Sequence, residues 1–289
     1  MGREVSARFR RPAIAVSVDD PNAMVRAHSA VETLGGRARH LSPVQLAQLL
    51  DGPAEFVGLI YDMAPWNSSV VPLLGALRKS HPGLPILLFP PSRPEVSKVL
   101  LHCTDLTGVR VERQAHDSRA LAALQDNVHW LLATVYAGRL MHLVNLLLPD
   151  MPSGGVLYTQ RILDRITASR VSQPLSVGSI VAEMRVSLRT LQHALESAGL
   201  PSPKTLFDWV TLLFAALSAD ASDRTATAVA RNFGFDAHRF SRLRRRLLQD
   251  DIPASSNGAA QEFDMAFLAF ADACRVSKRK ASCVLERTA

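Results

Sequence analysis

The sequence predicts a parallel α/β sheet domain followed by an all-α domain, and three observations carry that reading. From Ala13 to about Ala133, short apolar runs alternate with amphipathic helical stretches. The alternation ends in a group of helix breakers, Pro149, Pro152, Gly154 and Gly155. From Leu175 to Leu248, two similar units of short helix, tight turn and second helix flank a longer apolar helix.

In the first domain the strand candidates are residues 13–18, 36–41, 56–61, 85–89 and 109–112. Helices fall between them at 23–34, 43–50, 70–80 and 94–102, with another beginning near Asp117. That number of strands and helices in about 120 residues is the count of a flavodoxin-like sheet, in which ligands sit beyond the carboxyl ends of the strands. Asp19 and Asp20 follow the first strand, and Asp62 follows the third. Three carboxylates meeting at one sheet edge could hold Mg2+ through oxygen ligands while one of them accepts a phosphoryl group. Loop solvation and helix capping are the simpler role, and Asp20 before Pro21 suits a cap.

These acids resemble those of the receiver domain of bacterial response regulators. The resemblance puts Asp62 at the phospho-acceptor position and Asp19 and Asp20 at the metal positions. After the fourth strand, where that family has Thr or Ser, this chain reads Phe89-Pro90-Pro91, with Ser92 next. After the fifth, where the family has Lys then Pro, it reads Gln114-Ala115. The missing ammonium is the group that would pair with phosphoryl oxygens. The expectation is therefore a pseudo-receiver that works without phosphorylation and needs no cofactor. The alternative is a phospho-accepting response regulator that uses Asp62 and Mg2+.

The last helix of the sheet domain extends from Ser118 past Trp130 toward Leu148, with Leu121, Leu124, Val128, Leu131, Leu132, Val135, Leu143, Val144 and Leu147 available for packing. That apolar face exceeds what one sheet covers. It predicts packing on another helix or on a second copy of the chain, hence a homodimer, unless Gly138 breaks the helix in two. A helix over residues 156–168 then leads into the repeated units.

In the first unit Val177, Ile180, Val181 and Met184 recur at helical spacing, and the turn falls at Arg185 and Val186. Ser187 suits the N-cap of a helix that turns Leu188, Leu191 and Leu195 inward. Arg189, Gln192 and His193 are left on its outer face, early enough in the helix to reach base edges: Arg pairs bidentately with guanine and Gln with adenine. In the second unit Ala226, Val229 and Ala230 are the apolar side of the first helix, Gly234 serves the turn and Phe235 enters the core. Asp236 caps a helix with Phe240, Leu243 and Leu247 inward. Its outer face carries His238, Arg239, Arg242, Arg245 and Arg246, suited to phosphate oxygens, with Arg239 and Arg242 placed early enough for bases. Solvated polar faces and complementation of a helix dipole are the alternatives for these residues.

The residues S187-LRTLQ, A198-G199-L200, V229-A230, G234-F235 and F240-S241-R242 resemble the AraC/XylS family of transcription regulators over about a quarter of the chain. The resemblance implies a double helix-turn-helix domain joined by a linker helix, here residues 205–217, that binds promoter DNA. His193 stands where that family has Arg, Arg244 where it has a buried aromatic, and the turn after Gly234-Phe235 reads one residue short. The expected division is a receiver-like domain over 1–133, a helical linker over 134–170, the double helix-turn-helix over 171–249, and a helix with a basic tail over 250–289. The final helix, from about residue 260 to 275, aligns Phe263, Ala266, Phe267 and Phe270 on a face expected to pack against the second unit. Lys278, Arg279 and Lys280 follow.

Composition agrees with a polyanionic partner. The 289 residues carry a net charge of +7, and the isoelectric point is near 9.8. Cys103, Cys274 and Cys283 are too scattered for a zinc knuckle or a disulfide framework, which favours a reducing cytoplasm. No contiguous apolar run approaches the roughly 18 to 20 residues of a span, so no membrane partner is expected. No Ser/His/Asp arrangement, metal-ligand spacing or Gly-rich phosphate loop argues for an enzyme. His40, His81 and His116 fall in expected loops. The partners implied are double-stranded DNA, a second copy of the chain, and RNA polymerase or another regulatory protein. An adaptor that no longer reads DNA is the remaining alternative.

Overall fold

The computed structural model describes residues 12–48, 56–63, 70–89, 109–111, 119–168, 176–222, 224–232, 235–248 and 259–288. The expected helix over 94–102, Ser92, Gln114-Ala115, His116, Gly234 and the loop 250–258 lie outside them. The chain divides between Val135 and Tyr136 into two units.

Five parallel strands form the first unit: β1 (Ala13–Ser17), β2 (Arg37–His40), β3 (Gly58–Asp62), β4 (Ile86–Phe89) and β5 (Val109–Val111). Their order is β2-β1-β3-β4-β5, the doubly wound flavodoxin-like arrangement that the sequence predicts. β1 is apolar up to Ser17 and buried from Ile14 on, because parallel strands are covered on both faces. Ala15, Leu59, Ile86 and Leu88 pack with Leu46 of α2 (Pro43–Gln48) and with Leu74 and Leu77 of α3 (Val70–Ser80). On the other face lie α1 (Pro21–Thr33), with Ala27, Ala30 and Val31 buried, and the first half of α4 (Arg119–Leu147). At Gly58 a Cβ would stand 2.5 Å from Leu131 Cδ2, so this strand position needs glycine for α4 to approach. β2, RARH, is the mostly exposed edge strand, and His40 lies in it rather than in a loop.

α4 runs unbroken through Gly138, which is exposed. It is also the one described helix long and apolar enough to cross a membrane. Its window Leu124–Leu147 has mean hydropathy 1.2, and half of that window is buried inside the protein. A reading of contiguous runs misses it because Asp126, Asn127, His129, Arg139 and His142 interrupt the apolar residues.

The second unit is helical: α5 (Ser153–Thr167), α6 (Val177–Glu183), α7 (Leu188–Ser197), α8 (Pro203–Ser222), α9 (Ala226–Asn232), α10 (Ala237–Leu248) and α11 (Ala259–Thr288). Tyr136, Leu140 and Val144 of α4 are buried, so the apolar excess that suggested a second subunit is largely covered within the chain; Leu146 stays exposed. α8 is the centre, buried at nearly every residue from Leu206 to Ser222. The six other helices α5, α6, α7, α9, α10 and α11 pack on it, α11 most extensively. The Phe stripe of α11 accordingly seats on the linker helix more than on the second helix-turn-helix. Phe263, Ala266 and Phe270 are buried, and the Phe270 ring lies 5.7 Å from that of Trp209. Cys274 is buried beside them, and burial pushes its thiol up to about 12, which keeps it protonated and unreactive at neutral pH.

Candidate nucleic-acid interface

The two helix-turn-helix units superpose in sequence at a constant offset. α6 and α9 begin at Val177 and Ala226, α7 and α10 at Leu188 and Ala237, each pair 49 residues apart. Four residues separate the helices in both units, so the second turn is not shorter than the first.

In the first unit Ser176 forms a capping box with Ser179: Ser176 Oγ accepts from the Ser179 N–H at 3.2 Å and Ser179 Oγ from the Ser176 N–H at 3.3 Å. Ser187 caps α7 by accepting from the Thr190 N–H at 3.0 Å. Leu191 and Leu195 are buried under α7. α5 presses closely against this helix, since a Cβ on Gly155 would stand 2.9 Å from Leu195 Cδ2. α7 ends at Gly199, whose φ of 67° lets the Leu200 N–H donate back to the Leu195 carbonyl at 2.9 Å. Arg189, Gln192 and His193 are exposed together on the outer face. Within that face Gln192 Nε2 donates to Glu196 Oε1 at 2.8 Å, and His193 Nδ1 lies 3.3 Å from Ser197 Oγ. The Gln192 amide is thus oriented by Glu196, with one N–H and its oxygen left over for a base edge.

The second unit repeats the design with different side chains. Thr225 Oγ1 accepts from the Ala228 N–H at 3.2 Å, and Asp236 Oδ1 caps α10 by accepting from the Arg239 N–H at 2.7 Å. Phe240 is buried where the first unit has Leu191, while Phe235 is only half-buried, its ring 6.4 Å from that of Phe240. His238, Arg239, Arg242, Arg245 and Arg246 are exposed. Two arginines of α10 are engaged within the protein. Arg244 Nε donates to Glu262 Oε1 of α11 at 2.6 Å, which accounts for a half-buried arginine at an inward position. Arg246 donates to Asp208 Oδ2 of α8, a carboxylate only 10% exposed that also lies 3.2 Å from Lys204 Nζ. Burial pushes the Tyr158 phenol up, and the nearby Asp208 charge pushes it further; its hydroxyl donates to the Pro203 carbonyl at 3.1 Å. Arg246 therefore ties α10 to α8 as well as facing outward, which leaves Arg239, Arg242 and Arg245 as the cations of α10 with no such tie among the described residues.

At the carboxyl edge of the sheet the three acids have different settings. Asp20 turns its Oδ1 to the Asn22 N–H at 3.0 Å and caps α1. Asp62 ends β3 and is buried, whereas Asp19 and Asp20 are exposed. Tyr61 stands close to two of them: burial first, then the charges of Asp19 and Asp62, push its phenol up. Among the described residues no group of three His, Cys, Asp or Glu side chains is arranged to hold a metal ion. Of the three acids expected from the sequence, Asp20 is engaged as a helix cap through one of its oxygens.

Sequence reasoning missed Asp208, although a lone acid between Phe207 and Trp209 in an apolar helix is a visible signal. It also missed an open cleft of about 550 Å³ beside α1, lined by Met24, His28, Glu32 and His40 among others.

No protein-family model and no curated protein matches the chain. Among solved structures it is similar to full-length FixJ from B. japonicum, at 12% identity over 78% of this chain and 98% of that one, with a TM-score of 0.34. It is similar to RcsB from Salmonella enterica serovar Typhimurium, solved bound to a promoter in the presence of the phosphomimetic BeF3−, at 17% identity over 70% and 98%, TM-score 0.30. A third is the response regulator StyR, at 16% identity over 68% and 96%, TM-score 0.34. The flavodoxin-like arrangement itself stands on the strand order of this chain.

Proposed function

We propose that this chain is a non-enzymatic, DNA-binding transcription regulator of AraC type acting in the cytoplasm, its double helix-turn-helix controlled by a receiver-like sheet domain. The observation that carries the reading is the 49-residue repeat of two capped second helices, each with buried apolar anchors and an exposed polar or cationic outer face. Side chains in the first turns of such helices are those that meet base edges in the major groove. One chain holds both helices, so two groove segments are engaged without a second copy.

The test is binding of the full-length protein to fragmented genomic DNA across a salt series, with sequencing of the retained fragments. A salt-sensitive set that shares a motif of about two helical turns is expected. Salt-sensitive binding without a motif would reject promoter specificity, and no binding at low salt would leave an interaction adaptor.

We further propose that the sheet domain works without phosphorylation and without Mg2+. Asp20 is committed to a helix cap, and the chain has Gln114 where a receiver has its Lys. The competing reading, phosphoryl transfer to Asp62, is favoured by that residue's place at the end of β3 near Asp19 and Tyr61. Asp62→Asn separates them: unchanged DNA affinity with and without a small phosphodonor supports the first, and loss of a phosphodonor response supports the second.

A further inference from the structure

The turn of the first unit holds its second residue, Arg185, at φ 55°, and no other described non-glycine residue has a positive φ. The left-handed region crowds a Cβ against the backbone, so an ordinary side chain there is retained against a conformational cost. In the sequence the residue 49 positions on is Gly234, so the repeat has arginine in one copy of this position and glycine in the other.

Nothing inside the protein accounts for the arginine. Its side chain is exposed and makes no hydrogen bond or ion pair among the described residues; its backbone N–H alone is used, donating to the Ala182 carbonyl at 3.1 Å. The nearest acid in sequence, Glu183, is already paired with Arg165 of α5 and does not draw the guanidinium inward. Val186 and Leu188, which flank the N-cap of α7, are 38% and 48% exposed, so the whole tip of the turn projects beside the outer face that carries Arg189. That face also carries Glu196, whereas α10 presents Arg239, Arg242 and Arg245. The first unit is short of cations for holding a polyanion, and its strained turn supplies one.

We propose, resting on the DNA-binding reading above, that Arg185 is a backbone-phosphate anchor of the first helix-turn-helix: it grips the duplex beside the groove that α7 enters and carries no base preference. The bland alternative is a solvated arginine tolerated by chance in the turn.

The experiment uses full-length protein, its Arg185→Gly and Arg185→Lys variants, and a duplex that the wild type binds. Arg185→Gly relieves the backbone, so a higher melting temperature is expected together with weaker binding. The slope of log affinity against log salt should become shallower by roughly 0.9, one phosphate's worth, to the same extent on all sequences. Arg185→Lys should keep most of that slope without the gain in melting temperature. An unchanged slope in Arg185→Gly with wild-type binding intact overturns the anchor and leaves the DNA reading standing. A change of base preference at one position without a change of slope overturns the phosphate assignment, and a lowered melting temperature shows that the fold itself needs Arg185 and overturns it too. Failure of the wild type to bind any duplex at low salt removes the DNA reading, and the anchor with it.

Discussion

The two helix-turn-helix units share the length of their first helix, turn length, cap positions and the buried pairs Ile180/Val229, Val181/Ala230 and Leu191/Phe240, and differ in what they expose. The first presents Arg189, Gln192, His193 and Glu196, a face of mixed charge whose amide and imidazole are already oriented by neighbours on the same helix. The second presents His238, Arg239, Arg242 and Arg245, with Arg244 and Arg246 braced against α11 and α8. Pre-oriented amides suit discrimination between bases, and unbraced guanidinium groups suit attraction to phosphates. Under the proposed DNA-binding function, one scaffold repeated with two surface chemistries would divide the labour, the first unit choosing the site and the second supplying most of the hold.

The scaffold half of this comparison breaks under the largest change. Phe240→Ala should destabilise the helical unit by about 3 to 5 kcal/mol and Leu191→Ala by about 2 to 5, both read by chemical denaturation. A loss below about 1 kcal/mol at either site would mean that its helix is not anchored as described. The division of labour is tested next. Arg239→Ala and Arg242→Ala should each weaken binding by about 1 to 3 kcal/mol if they reach bases, and should flatten the salt dependence if they meet phosphates. Arg189→Ala and Gln192→Ala should instead relax sequence preference with little change in salt slope. The reverse pattern would exchange the roles of the two units.

Caps give a smaller and more symmetrical effect. Ser187→Ala and Asp236→Ala should each cost about 0.5 to 2 kcal/mol in thermal or denaturant unfolding, and their near-equality would sharpen the view of a duplicated scaffold. The smallest effect lies in the support beneath the second unit, where Asp220 of α8 and Asp264 of α11 both have carboxyls raised above the ordinary range, by burial and, for Asp220, by the charge of Asp264. A raised carboxyl means that the folded state holds its proton more readily than the unfolded one. The associated stability is full below the unfolded value, about 4, and is lost as pH rises through the folded value. Asp220→Asn should therefore raise the melting temperature at neutral pH by about a degree or two, with the gain vanishing in acid. A gain that persists in acid would assign the effect to packing.

Periodicity made the sheet domain legible, because the inner strands β1, β3 and β4 are short, largely apolar runs closed by turns, and the polar edge strand β2 falls between them at the expected spacing. The caps Ser187 and Asp236 were legible for a similar reason: capping is local chemistry, decided within three residues. What escaped was decided across the chain. The pairing of Arg246 with Asp208 joins residues 38 apart, and nothing in the local pattern of α10 separates a braced arginine from a free one. The Phe stripe of α11 signalled burial but not its partner, since period identifies a face and not the surface that covers it. Asp20 suited two sequence roles at once, metal ligand and cap, and of these the cap is visible as a hydrogen bond from the Asn22 N–H. Arg185 was read simply as part of a turn, because the sign of a backbone angle is not written in composition.

On the DNA-binding function proposed above, the burial of α8 has a consequence for the duplex rather than for the protein. A helix enclosed along most of its length holds its two ends at a fixed separation, and a bound duplex would have to match it. One base pair inserted between the two halves of a target would move one half by about 3.4 Å and turn it by roughly 35° about the duplex axis. Such a target keeps every base that the protein reads and still loses one of its two grips, so insertions should be tolerated far less than substitutions.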